Sequence, residues 1–125
     1  MDKQKQLESK IENLEDDYNR EKKKLEETMD EVDQEKWTFN RELEELSEQM
    51  RYLFQNREYD DFQGLKQVDQ MIRSTQDEGE WSVKNVLKKL EDEQEEQYAA
   101  YKKQSLSYEA EIYQLKKESD PTYVR

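Results

Sequence analysis

The side chains here that could do chemistry are nearly all carboxylates. The 125 residues carry 33 Asp and Glu against 21 Lys and Arg, with no histidine and no cysteine, for a formal charge of −12. The densest acidic run, Glu91-Asp92-Glu93-Gln94-Glu95-Glu96, offers the hard oxygen ligands that calcium takes. A calcium loop alternates its ligands around a central glycine, and this run has none. At helical spacing it reads as a solvated face. Paired carboxylates can divide acid and base roles only where a concave, poorly solvated pocket separates their pKa values, and the pattern implies no such pocket. Without imidazole or thiol there is no histidine base, thiolate nucleophile, zinc–thiolate site or disulfide. The basic run Lys22-Lys23-Lys24 is short and set among acids, and the net charge opposes binding to a phosphate backbone. The expectation is a non-enzyme with no cofactor, no metal, no small-molecule substrate and no nucleic-acid partner.

What remains is the scaffold that holds these charges. Only 31% of the chain is hydrophobic, with one proline and two glycines. So polar a chain cannot fill a broad layered core, which leaves bundle or coiled-coil geometry as the alternative to disorder. No apolar stretch approaches the ~20 residues of a membrane span. The opening MDKQKQLESK lacks the apolar segment of a secretory signal, so a cytoplasmic location is expected.

A seven-residue repeat organises the first half. Ile11, Tyr18, Leu25, Val32, Phe39, Leu46 and Leu53 recur at strict spacing. At this composition such a run arises by chance roughly three times in ten thousand, so the repeat is a signal. A second stripe, Leu7, Leu14, Met29, Leu43 and Met50, flanks it and changes offset around Leu25–Met29. A straight helix drifts about 20° per heptad, so a partner gradually shifts sides. No glycine or proline interrupts residues 1–63, and helix 1 is predicted over about 3–56.

The second half is less regular. Leu65, Val68 and Ile72 start a stripe; Val83, Val86, Leu87 and Leu90 resume it, and Tyr101, Tyr108, Ile112 and Leu115 follow. Between them, Asp77 and Glu80 flank Gly79 in a capping-box-like arrangement, which suggests a kink or break near 74–80. Pro121 ends helix 2 near Ser119. The main turn falls either at 57–61 or at 74–80. The central position is preferred because it sets Arg20 and Lys22–Lys24 against the acidic run 91–96, Tyr18 beside Tyr101, Ile11 beside Tyr108 and Phe39 beside Trp81. The predicted fold is therefore an all-α, elongated antiparallel two-helix hairpin over 1–119, with arms at about 3–56 and 62–119 and a flexible tail at 120–125.

Two helices alone make a thin core. Part of the apolar surface is accordingly expected to serve another chain, with large aromatics as anchors. The residues assigned to that interface are Leu25, Val32, Trp37, Phe39, Leu46 and Leu53 on helix 1, with Trp81, Tyr101 and Tyr108 on helix 2. A self-associating structural coiled coil, such as a homodimer, and a prefoldin-like holdase are alternatives from other functional classes.

An acidic helical hairpin with an aromatic-x-Gly at its centre, here Phe62-Gln63-Gly64, resembles the WXG-type proteins of type VII secretion. Phe62 and Gly64 stand where those proteins place Trp-x-Gly, at the helix-to-helix turn. The stretch Met50-Arg51-Tyr52-Leu53-Phe54 leading into that turn is similar to the small helical partners of LXG-domain effectors of the type VIIb system. The resemblance implies a targeting chaperone that binds the helical N-terminal domain of a secreted effector, together with a second small helical protein in some assemblies, and that is co-exported or left behind. The family's Tyr-x-x-x-acid export motif is not met in the second arm, where Tyr113 is followed by Lys117 and Tyr108 by Ile112. Phe54 and Glu58 match that spacing, but before the turn. The resemblance then implies that export relies on the effector or a second partner.

Overall fold

Fifty-four residues free of glycine and proline and rich in Glu, Lys, Gln and Leu form one unbroken helix, α1 (Asp2–Gln55). These straight-chain residues lose little rotamer freedom in a helix. A second helix of 58 residues, α2 (Phe62–Ser119), packs against it. This computed structural model describes residues 2–55 and 62–119, and among them there is no strand. The predicted all-α hairpin is the observed fold. Residues 57–61, read as the turn, and the tail at 120–125 lie outside the described residues. Asp2 sits in the first turn of α1 and Lys116 and Lys117 in the last turn of α2, each with the sign that suits the helix dipole there. The Ser119 hydroxyl donates to the Lys116 carbonyl at 3.2 Å, satisfying one of the last free carbonyls before Pro121.

The chain divides into two units, one joining Met1–Glu27 to Leu90–Arg125 and the other comprising Thr28–Lys89. In the first, Leu7 and Leu25 are the only buried hydrophobic side chains among the described residues, 7% and 9% exposed. Ile11, Leu14 and Tyr18 complete the inner stripe of α1, facing the half-buried Leu90, Tyr101, Tyr108, Ile112 and Leu115 of α2. Tyr18 stacks on Tyr101 with ring centroids 4.4 Å apart and planes 13° from parallel, and Tyr98 tilts against Tyr18 at 6.2 Å. The Lys10 ammonium lies 6.0 Å from the centre of the Tyr108 ring. These pairings run antiparallel in the register expected of a central turn. Lys22 shares a groove with Glu91 and Glu95, as the charge match predicts. Arg20 and Lys24 instead pair along their own helix with Asp17 and Glu21, at 3.3 and 3.4 Å. Both pairs are exposed and worth only tenths of a kcal/mol, about 0.2–0.5 each.

The second unit departs from the sequence-based expectation in two places. First, α2 is helical throughout 74–80, so no break or turn interrupts it there. The Thr75 hydroxyl donates back to the Met71 carbonyl at 2.9 Å, a side-chain bond made within the helix and not to a turn. Gln76 and Gly79 occupy inward positions, so the stripe reads Leu65, Val68, Ile72, Gln76, Gly79, Val83 and Leu87 without interruption. Gly64 and Gly79 both hold ordinary helical backbone, with no positive φ. Second, the inward stripe of α1 leaves the heptad phase after Val32. It continues through Asn40, Leu43, Ser47, Met50 and Phe54, while Phe39, Leu46 and Leu53 are exposed. The step from Val32 to Asn40 is eight residues rather than seven. The drift of a straight helix, about 20° per heptad, amounts to a full 100° residue step in five heptads.

Candidate partner-binding surface

The nine residues assigned to an interface separate into three groups. Leu25, Val32, Tyr101 and Tyr108 are on the inward stripes, where α1 and α2 cover each other. Phe39, Leu46 and Leu53 lie together on one flank of the second unit, exposed. Trp37 and Trp81 are elsewhere again, 63% and 69% exposed. Trp37 lines a charged groove with Arg41, Glu44, Arg51, Asp69 and Arg73. Arg41 sits 5.0 Å from its ring centre, and the Arg41 Nε is 3.7 Å from Glu45. Trp81 lies two residues from both Gly79 and Val83, and so points away from the inward stripe.

The flanks of the second unit follow a simple rule. Phe39, Leu46 and Leu53 each immediately precede an inward residue of α1 (Asn40, Ser47, Phe54), and Met71, Ser82 and Val86 do the same on α2 (Ile72, Val83, Leu87). Antiparallel neighbours are related by a two-fold rotation that carries this flank of one helix to the same side as this flank of the other. The two rows therefore share one face. Its mouth is a groove in which Val32, Phe39, Gly79, Ser82, Val83 and Val86 meet, together with Glu35, Lys36, Asn40 and Glu80. Most residues that immediately follow an inward residue form the opposite face: Asp33, Arg41, Glu44, Glu48 and Arg51 on α1, and Lys66, Asp69, Arg73 and Lys84 on α2. One face of this unit is charged along its whole length, and the other is mainly apolar or neutral.

Phe39 and Gly79 anchor the apolar face. A β-carbon on Gly79 would fall 2.6 Å from the Phe39 Cε1, so the missing side chain is what lets the ring lie across α2. The sequence-based pairing of Phe39 with Trp81 is thereby corrected to Gly79. Met71 was not among the expected interface residues, yet it is 69% exposed beside this row. Its signal was its position one residue before Ile72, legible only once the inward stripe is known.

The exposed apolar residues of the first unit, Tyr98, Leu106 and Tyr113, all belong to α2. On that flank they are interspersed with Glu91, Glu95, Lys102 and Glu109 and form no neutral face. Phe62 opens α2 and Gly64 lies in its first turn, so Phe-x-Gly belongs to the helix itself and not to the connection before it. Among the described residues no group of three or more acidic side chains could hold a metal ion, and no helix is long and apolar enough to cross a membrane. No family model matches the chain, and neither the curated proteins nor the solved structures return a match.

Proposed function

We propose that this chain is a non-catalytic partner protein that binds the helical N-terminal region of a type VII secreted LXG effector and keeps it soluble and competent for export. The observation that carries the reading is the exposed row Phe39, Leu46 and Leu53 on a hairpin whose only buried side chains, among the described residues, are Leu7 and Leu25. A chain with so little core gains stability by sharing apolar surface with another. The wholly α-helical hairpin and the Phe62-Gln63-Gly64 sequence at the start of α2 support the same reading. Binding occurs in the cytoplasm, and the export signal is supplied by the effector or by a second small partner.

The test is co-expression of the tagged chain with the reading frames beside it in its genome, followed by mass measurement of the purified species. A defined complex with a long helical neighbour is expected. A stable homodimer that ignores every neighbour overturns the reading.

A further inference from the structure

The flanks of the second unit differ in charge far more than a solvated hairpin requires. Asp33, Arg41, Glu44, Glu48, Arg51, Lys66, Asp69, Arg73 and Lys84 on the following flank are ionised, whereas the preceding flank presents Phe39, Leu46, Leu53, Met71 and Val86 with Thr75 and Ser82, and Glu31, Glu42 and Glu78 border them. Scattered exposed hydrophobes are ordinary, but five exposed apolar side chains gathered on one face and rimmed by charge mark an interaction site. The row runs along α1 from Val32 to Leu53, about 32 Å of helix at 1.5 Å per residue. Two helices side by side are about 20 Å across, so this face offers on the order of 600 Å². That is about three quarters of one partner's share of a standard-size interface, about 800 Å².

The rim selects the occupant. Glu31, Glu35, Glu42 and Glu78 border the row, against Lys36 and Lys89. A second copy would bring the same acidic rim and its own charge of −12 against it. Like charges set face to face disfavour that pairing, whereas a basic rim complements it.

We infer that this face of the second unit is a docking groove for an amphipathic helix whose apolar stripe is flanked by Lys or Arg. The inference rests on the partner-protein reading and adds to it which face binds and what charge pattern it recognises. Phe39, Leu46, Leu53, Met71 and Val86 take the apolar stripe, and the rim glutamates take the flanking cations. The opposite face, with Trp37 and Arg41, stays in solvent.

The probe is a synthetic amphipathic helix of about 25 residues, long enough to match the row, with leucine along its stripe and lysine beside it. A twin peptide carries glutamate beside the same stripe. Binding to the full chain is followed by peptide fluorescence anisotropy at low and high salt. The lysine peptide is expected to bind, to weaken about tenfold at high salt, and to exceed its twin by at least about tenfold. Leu46→Asp and Met71→Asp should each weaken it by about tenfold or more, since either sets a charge in the apolar stripe, while Leu106→Ala in the first unit leaves it unchanged. Met71 is 69% exposed, so its substitution keeps the test informative if Leu46→Asp impairs folding. Equal binding of the two peptides, no binding of either, or indifference to Met71→Asp overturns the inference. A dimer of the chain that Met71→Asp dissociates overturns it in favour of a second copy. If a complex with a genomic neighbour survives Met71→Asp, the partner reading stands and this face does not. If the lysine peptide binds as expected while no neighbour does, the face stands and the partner reading falls.

Discussion

The Phe39 ring occupies the space where a side chain at position 79 would stand, with Cε1 2.6 Å from the place of a β-carbon on Gly79. Glycine inside a helix costs about 1 kcal/mol relative to alanine. Its presence in the middle of α2 is thus explained by the ring it admits.

That relationship predicts a coupled pair. Gly79→Ala gains helix propensity but pushes the ring outward, so its net effect on stability is expected to stay within about 1 kcal/mol. In a Phe39→Ala background nothing opposes the new methyl, and Gly79→Ala should stabilise by the full ~1 kcal/mol. Urea unfolding followed by far-UV circular dichroism measures all four chains of the cycle. Identical effects of Gly79→Ala in the two backgrounds would show that ring and glycine are not coupled.

Tyr18 and Tyr101 stack at 4.4 Å in the first unit. Aromatic pairs of this kind contribute about 0.5–1.5 kcal/mol beyond the area they cover. Tyr18→Ala is expected to destabilise by about 2 kcal/mol, and Tyr18→Phe, which keeps the ring, by less than about 0.5. A double-mutant cycle with Tyr101→Ala should return a coupling of about 1 kcal/mol. A coupling near zero would mean that the rings contribute only independent burial.

Leu25 and Leu46 belong to the same heptad phase but have different environments, 9% and 40% exposed. Leu25→Ala removes a buried side chain and is expected to cost about 2–3 kcal/mol, while Leu46→Ala costs less than about 1. Thermal melts of the two variants decide this. Equal losses would place both residues in one continuous seam, as a strict seven-residue repeat requires.

Arg41 touches Trp37 through its guanidinium and Glu45 through Nε, at the surface of the second unit. Both contacts are solvated, so Arg41→Ala should change stability by no more than about 1 kcal/mol. In a Trp81→Phe background the remaining tryptophan reports on this site alone, and its emission should shift when Arg41 is removed. An unchanged spectrum would count against the stacked arrangement.

Much of this architecture is legible in residue types. The absence of glycine and proline before residue 64 makes α1 continuous, because that effect acts on the local backbone. The register was legible too. Opposed runs of charge and evenly spaced tyrosines favour a central turn, and Tyr18 does meet Tyr101. Ser74, Thr75 and Gly79 misled because their turn propensity is real but weak. A ring packed where a side chain at position 79 would otherwise be offsets it.

Residue types and their spacing establish a pair of long helices, the direction in which they pair and how thin their shared core must be. Which apolar residues that core uses depends on the packing of one helix on the other. A repeat counts residue types along the chain, whereas burial depends on where the neighbouring helix lies as the stripe drifts around the cylinder. At Phe39 the repeat lies at the edge of the seam, across Gly79, and beyond it Asn40 and Ser47 take the inward positions while Leu46 and Leu53 are exposed.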